Sequence, residues 1–254
     1  MAVTLFNQSL RRADLSLSLN RQKGHASLRL AMLVALTFQC ITANGAGIAV
    51  GNGAAFDIGN GMVDVNCLDV ETAGQFSLGG GMVNGVNLLS IESTGELNGD
   101  TGSLRFSGDW WNAGSLNAAQ SSISMQDGCG TSESLMLGDN SFYNFSASTS
   151  TGKTFTIEAG SVQGFANQLS LQGAAPNQRL KIRSSVNGQS VQFNLAAPGV
   201  QQINAIDVRD NDASAGQLLA PGIPATYVSV DAGNNQNWFV QISDLLFKDS
   251  FESD

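Results

Sequence analysis

Three segments of the chain repeat one short pattern: TAGQFSL (Thr72–Leu78), STGELNG (Ser93–Gly99) and NAGSLNA (Asn112–Ala118). Each has a glycine after two small or polar residues, then a polar residue and an apolar one. The glycines are Gly74, Gly95 and Gly114, so the steps between them are 21 and 19 residues. A repeat of about 20 residues built from short strands is typical of a solenoid, in which each repeat forms one coil stacked on the last.

Apolar and polar residues alternate around these segments in runs of three to five, with three runs in each repeat. A shift of 21 residues superposes Leu89 on Leu68 and Leu97 on Phe76. The inward positions of the following repeat fall on Trp110, Leu116, Ile123 and Met125. This alternation predicts an all-β chain, a right-handed parallel β-helix of about 20-residue coils with three strands each. We expect the glycine before each second strand to supply unusual backbone dihedrals at a corner.

Residues 127–150 depart from the repeat, because they begin with the turn DGCG and are then rich in serine and threonine. We expect an interruption there. Strand patterning resumes at residues 154–157 and continues to residue 208. Trp238 is expected to cover the end of the stack, where an open edge would invite aggregation.

The first 46 residues differ from the rest of the chain. Basic residues come first (Arg11, Arg12, Arg21, Lys23 and Arg29), then a short apolar run at residues 30–38, then small and polar residues. This order is typical of a secretory signal peptide. We predict a signal peptide at residues 1–45, a β-solenoid domain at 46–243 and a flexible tail at 244–254. The expected location is extracellular or at the outer cell surface, with the periplasm as an alternative. No later segment has the ~20 apolar residues of a transmembrane anchor.

The chain that remains after residue 46 is acidic, with seven lysines and arginines against twenty aspartates and glutamates. Its net field does not favour nucleic acid as a partner. The single histidine, His25, lies within the predicted signal peptide. Cleavage therefore removes the residue that a serine–histidine triad or a histidine metal site requires. We expect no cofactor, no metal and no catalytic residue.

Two cysteines lie beyond the signal peptide, Cys67 and Cys129. An exported chain meets oxidising conditions, which favour a disulfide between them. Their separation of 62 residues is about three coils, and coils that stack at about 4.8 Å would hold aligned positions ~14 Å apart. A disulfide needs Cα atoms within about 7 Å. The sequence leaves two alternatives open, an irregular coil with a bridge or two free thiols, and we favour the bridge.

The most promising ligand-binding residues come from two places in the sequence. One is a charged cluster on neighbouring strands, Lys181 and Arg183 with Asp207 and Arg209, whose alternation with apolar residues directs them outward. The other is Trp111, which follows Trp110 and so faces the opposite side of its strand. An exposed tryptophan can stack on a sugar ring. The alternatives are ion pairing between neighbouring coils and packing of Trp111 under a loop. A calcium site at Asp207, Asp210 and Asp212 is a weaker possibility, because the spacing matches no EF-hand and Arg209 and Asn211 lie among the aspartates.

Several longer stretches are similar to the β-solenoid repeat regions of exported and cell-surface bacterial proteins of the adhesin type. They are DGCG (Asp127–Gly130), SFYNFSASTSTGKTFTIEAGS (Ser141–Ser161), LSLQG (Leu169–Gly173), LKIRSS (Leu180–Ser185), IDVRDNDAS (Ile206–Ser214) and GNNQNWF (Gly233–Phe239). The tail LLFKDSFESD (Leu245–Asp254) resembles the IFxDGFES-type ends of exported Gram-negative proteins, with Ser250 in place of the usual glycine. The resemblance implies a solenoid fold, a surface location and a sorting or processing signal at the tail. The alternative for the tail is a frayed acidic terminus.

The sequence therefore favours an exported structural or adhesin-like protein of the cell surface without catalytic activity. The second hypothesis is a carbohydrate-active β-helix that binds or cleaves an extracellular polysaccharide. Its partners would be that polysaccharide or other cell-surface components. An enzyme should present the charged cluster in a groove, whereas a scaffold should present it as paired charges on a flat face.

Overall fold

The computed structural model describes residues 46–241, and these form a parallel β-solenoid of about eight coils. The predicted signal peptide and tail lie outside the described residues. The strands are β1 (Ala46–Val50), β2 (Ala55–Asp57), β3 (Met62–Asp64), β4 (Asp69–Thr72), β5 (Gln75–Ser77), β6 (Met82–Val86), β7 (Leu89–Ile91), β8 (Glu96–Asn98), β9 (Ser103–Phe106), β10 (Trp110–Asn112), β11 (Ser115–Asn117), β12 (Ser122–Met125), β13 (Glu133–Leu137), β14 (Asn140–Thr149), β15 (Thr154–Ile157), β16 (Val162–Gly173), β17 (Leu180–Ser184), β18 (Val191–Leu195), β19 (Val200–Asn204), β20 (Ile206–Val208), β21 (Asn211–Asp212) and β22 (Val230–Asp231). A single 3₁₀ turn spans Pro224–Tyr227.

The strands form three parallel sheets that run along the stack. Each coil begins at its strand in sheet A, so coils 1–8 begin at β1, β4, β7, β10, β13, β15, β17 and β20. Sheet A contains β1, β4, β7, β10, β13, β15, β17, β20 and β22. Sheet B contains β2, β5, β8 and β11. Sheet C contains β3, β6, β9, β12, β14, β16, β18 and β21, with β19 paired beside β18 on β16. The predicted parallel solenoid is confirmed, and its right-handed sense stays a prediction.

The core is a set of apolar columns, because in-register stacking places equivalent residues of successive coils above one another. Phe76 pairs with Leu97 and Leu97 with Leu116 across sheet B, as the 21- and 19-residue steps between the repeats predict. Trp110 and Ile123 are almost fully buried. From the third coil onward the core is also aromatic, with ring centroids 4.8–6.2 Å apart along one chain of contacts through Phe106, Trp110, Phe142, Phe145, Phe165, Phe193 and Trp238. Trp238 is buried near the C-terminal end of the stack, as expected of a cap, and the aromatic contacts continue from it to Phe239 and Tyr227.

One predicted superposition is wrong. Leu89 stacks on Val70 rather than on Leu68, which is a shift of 19 residues, and Leu68 is 48% exposed. The corner that leads into β4 has four residues between strands, whereas the corner that leads into β7 has two. The corner before β7 is thus two residues shorter than the corner before β4. Because the difference lies in a corner, the apolar pattern of the strands on either side is unchanged and does not reveal the change of register.

The repeated glycines stack on one another at the corner between sheets A and B. The Gly74 carbonyl accepts the Glu96 amide, and the Gly95 carbonyl accepts the Ser115 amide. A Cβ at Gly95 would collide with the Thr72 carbonyl, and one at Gly114 with the Glu92 carbonyl. None of the three repeated glycines has a positive φ. Close approach between coils therefore requires the glycine, and the unusual dihedrals expected from the sequence are not the reason.

The expected interruption at residues 127–150 is also wrong for most of its length. Residues 140–149 form β14, a ten-residue strand that pairs with β12 and β16. In coil 4, the corner between sheets B and C takes the four residues between β11 and β12. In coil 5 a register shift between Phe142 and Asn144 replaces that corner. One long strand, β14 in coil 5 and β16 in coil 6, then takes the place of the two short strands that follow sheet A in the earlier coils.

Cys67 and Cys129 form a disulfide, with Cα atoms 5.3 Å apart. They lie on the corners between sheets C and A in coil 1 and coil 4, and the two intervening corners have only two and three residues between strands. The corner of coil 4 has seven, residues 126–132. The longer corner covers the distance that regular stacking would leave open, so the irregular alternative is the one the chain adopts.

The glycine column generates the first prediction. Gly95→Ala is expected to lower the stability by about 1–3 kcal/mol, the usual cost of forcing atoms into a packed site. Gly51→Ala is the matched control, because a Cβ at Gly51 meets no atom within 4 Å. Urea unfolding of both variants measures the difference. Equal stability of the two variants would contradict the close-approach explanation.

The disulfide generates the second prediction. Replacing both cysteines by serine is expected to destabilise the fold by about 4 kcal/mol, since the bridge closes a long loop in the unfolded chain. A reductant should lower the melting temperature of the wild type to about that of the double variant. The melting temperature of the double variant should not change with reductant. A wild type that melts identically with and without reductant would argue against the bridge.

Candidate functional site

The structure brings two of the predicted cluster residues into direct contact. Arg183 on β17 donates from Nη2 to Asp207 Oδ1 at 2.7 Å and from Nη1 to the Asp207 carbonyl at 2.6 Å. Lys181 is exposed on the same strand, in register with Asp207. Arg209 lies just beyond β20, with Nε 3.3 Å from Asp210 Oδ2. The cluster is therefore a set of contacts between and within neighbouring coils, on the outer side of sheet A.

The aspartates of the weaker calcium hypothesis each have a partner within the protein. Asp207 pairs with Arg183, Asp210 Oδ1 accepts the Asn234 amide at 2.7 Å, and Asp212 Oδ1 accepts the Ser214 backbone amide at 2.8 Å. Between residues 46 and 241, no three acidic, cysteine or histidine side chains are grouped as metal ligands. In the same range no helix is long and apolar enough to cross a membrane.

The two consecutive tryptophans face opposite sides of β10. Trp110 is fully buried and donates from Nε1 to Asn140 Oδ1 at 2.8 Å. Trp111 is 41% exposed on the outer side of sheet A, in register with Ser90 and Leu137. The structure places Trp111 several strands away from the charged cluster in the order of sheet A, so these predicted residues do not form one site. Ligand binding at either place stays a prediction.

A buried lysine holds the long corner at residues 126–132 against the stack. Lys153 is 1% exposed, and its Nζ donates to the Ser107 carbonyl and to Thr131 Oγ1. Burial lowers the pKa of the Lys153 amine, while the carboxylates of Asp127 and Asp109 favour its charged form. Three successive corners are joined through this one side chain, and the middle one carries Cys129.

Asp127 fastens the same corner to the next coil. Its Oδ1 accepts the Thr149 hydroxyl at 2.7 Å, and its Oδ2 accepts the Ser150 amide at 2.6 Å and the Ser150 hydroxyl at 2.9 Å. Burial acts to raise the pKa of Asp127, but the Ser150 and Thr149 hydrogen bonds outweigh it and hold the pKa below its ordinary value. The carboxylate therefore stays ionised at neutral pH.

The outer side of sheet C in coils 4–7 presents uncharged polar side chains in three columns, which we call the polar face. The first column is Ser122, Asn144 and Gln168; the second is Ser124, Ser146, Ser170 and Gln202; the third is Ser148, Gln172 and Asn204. Arg105 precedes the second column, and Val200 follows the first. All ten side chains are hydroxyls or amides, a composition that differs from the charged outer side of sheet A.

Hydrogen bonds between coils hold the side chains of the polar face in place. Ser146 Oγ donates to Ser124 Oγ at 2.8 Å, and Asn144 Nδ2 donates to Ser122 Oγ at 3.2 Å. Gln172 Nε2 donates to Gln202 Oε1 of the next coil at 3.4 Å and to Ser170 Oγ of its own strand at 3.2 Å. A serine hydroxyl can donate once and accept twice, so these bonds leave donors and acceptors free to meet a ligand.

Two depressions lie on this face and its border. The smaller, about 160 Å³, has Ser124, Ser146 and Gln168 in its lining. The larger, about 390 Å³, includes Ser148 and Gln172 and extends to Asp127 and the adjoining corner. Both involve β14 and β16, and the second begins where the first ends along those strands. The two depressions lie side by side along the strands, each spans coils 4–6, and we call the pair the track.

The polar face is not among the sites predicted from the sequence, although its signal is present there. The strands read SISM, NFSAS and QLSLQ, and in each the residues between the apolar ones are serine, asparagine or glutamine. The expected interruption at residues 127–150 includes β14, which hides the match between its outward residues and those of β12 and β16. The charged residues and tryptophans of sheet A are the more conspicuous features of the sequence.

The chain matches no protein-family model, no curated protein and no solved structure.

The Asp127 contacts generate the third prediction. Because its pKa is lower in the folded state, this carboxylate contributes stability above its ordinary pKa of 3.8 and loses it as the pH falls through the folded value. Asp127→Asn should lower the melting temperature at neutral pH, and the gap to wild type should close in strong acid. Glu133→Gln, on an exposed side chain of the adjacent strand, is the control. A gap that is equally wide at both pH values would contradict this role for the carboxylate.

Proposed function

We propose that the chain is an exported β-solenoid that acts as a structural, adhesin-like protein at the cell surface, without catalytic activity. The disulfide supports export, because such bonds persist in oxidising compartments. A stack in which interior strands pair on both sides suits a rigid surface that resists proteases. The resemblance to exported solenoid repeats, including the tail, points in the same direction.

One observation carries the choice between a scaffold and an enzyme. The Arg183 guanidinium is engaged by the Asp207 carboxylate, the Asp207 carbonyl and the Ile182 carbonyl. A guanidinium with these partners joins coil 7 to coil 8, and three of its five N–H donors are already engaged within the protein. Neither of the two depressions described above includes this pair. The arrangement favours the paired-charge expectation for a scaffold over the groove expected for a polysaccharide-cleaving enzyme.

The fourth prediction concerns cells that produce the protein. Deleting the gene should reduce attachment of the cells to surfaces or to one another several-fold, and the wild-type gene should restore it. Antibodies against the solenoid should label intact cells. Attachment that is unchanged by the deletion would contradict the adhesive role.

An Arg183→Ala variant separates the scaffold from the enzyme in the same assay. It should melt at a lower temperature because coils 7 and 8 lose their link, and it should restore attachment at the growth temperature. Purified wild-type chain should release no new ends from acidic or neutral polysaccharides. Release of new ends that disappears in Arg183→Ala would establish the enzyme instead.

A further inference from the structure

We propose that the polar face binds an extended, neutral polysaccharide chain. The inference rests on the proposed function, which gives the protein a contact role without saying what it contacts or through which surface. The ligand would lie in the track formed by the two depressions, against the outward side chains of β12, β14 and β16. This surface is on a different sheet from Trp111 and Arg183, which the sequence had suggested.

Charge is the first argument for a neutral ligand. The chain beyond residue 46 has a large excess of acidic residues, which repels polyanions. The three columns of the polar face offer hydroxyls and amides, and the exposed Arg105 beside Ser124 sets one positive charge at their edge against that excess. At the far end of the track, Asp127 adds a negative charge that its partners Thr149 and Ser150 keep ionised. A polymer without charge avoids this penalty.

The arrangement of donors and acceptors is the second argument. Neighbouring strands are about 4.8 Å apart, so the second column places hydroxyls at regular intervals; Ser124 and Ser146 are half-buried, and Ser170 is buried. The Gln168 amide carries two donors and an acceptor. Asn144 donates to Ser122 and accepts from Asn167, which leaves one N–H, and Gln172 donates to Ser170 and Gln202, which leaves its oxygen. A polyhydroxylated chain carries the same two kinds of group along its length, so it can bond to several side chains at once.

Preorganisation is the third argument. Ser146 and Asn144 already bond to side chains of the coil below them, and the strands beneath them are fixed by the core. Groups that are held before binding lose less conformational entropy when a ligand arrives. Individual contacts of this kind are weak, and affinity should therefore grow with the number of sugar units that occupy the track.

The fifth prediction is a binding experiment with the full chain, purified after export. The probes are three neutral polysaccharides, a soluble β-glucan, an α-glucan and a mannan, with polygalacturonate as the acidic comparison. Affinity electrophoresis and calorimetry should show saturable binding of at least one neutral polymer and weaker or no binding of polygalacturonate. Shorter oligosaccharides of the bound polymer should bind progressively less tightly.

Variants locate the site. Ser124→Val combined with Ser146→Val removes two hydroxyls of the middle column, and valine is a good strand former. This double variant should bind the neutral polymer at least tenfold more weakly. Ser141→Val, an exposed serine of the same strand β14 on the other side of its register shift, should bind like wild type. Gln172→Leu provides a second exposed change on the face if the double variant folds poorly.

Each failure has a distinct meaning. Absence of binding to all three neutral polymers, tighter binding of polygalacturonate, or unchanged affinity in folded face variants would overturn the inference. If cells that carry the double variant attach as well as wild type, the inference fails and the adhesive role stands. If cells that carry the wild type attach no better than the deletion strain, the proposed function itself fails.

Discussion

The parallel backbone ladder between coils is the constraint on which the rest of the structure depends. Each strand must lie about 4.8 Å from its neighbours, so the register of the ladder fixes which residue of the next coil each side chain faces. Apolar residues consequently become columns that fill the core, and polar residues become columns on the outside. At the corner between sheets A and B the same spacing leaves no room for a Cβ above the Thr72 carbonyl, which is why Gly95 is a glycine.

Much of the fold could be predicted from the sequence, because alternation of apolar residues is a local signal. The stacking of Leu97 on Phe76 followed directly from it. The slip that places Leu89 on Val70 could not be predicted, since a corner that is two residues shorter leaves the strand patterns unchanged. The replacement of a corner by the long strand β14 could not be predicted either. It depends on the pairing of β14 with its neighbour β16, and the sequence of one segment does not show that pairing.

The candidate site was harder to predict than the fold. Charged residues and tryptophans are conspicuous in a sequence, but a conspicuous residue can be fully used by its neighbours, as Arg183 is by Asp207. The polar face has the opposite character. Its serines and glutamines are individually ordinary, and they become a surface only when coils 4–7 are stacked in register. Two corner features were equally invisible, the burial of Lys153 and the approach of Cys129 to Cys67, since both depend on the path of residues 126–132.

The position of the disulfide has a consequence for a protein under mechanical load. A solenoid pulled from its ends peels one coil at a time, because each coil contacts only its neighbours. The bond between Cys67 and Cys129 closes off the chain between them, so tension passes from one corner to the other through sulfur. Roughly 20 nm of chain is thereby withheld from extension, given about 3.3–3.6 Å for each extended residue. Coils 2–4 then bear the load as one unit that does not extend. Reduction of the disulfide would allow the chain between the two cysteines to unfold and extend under the same load.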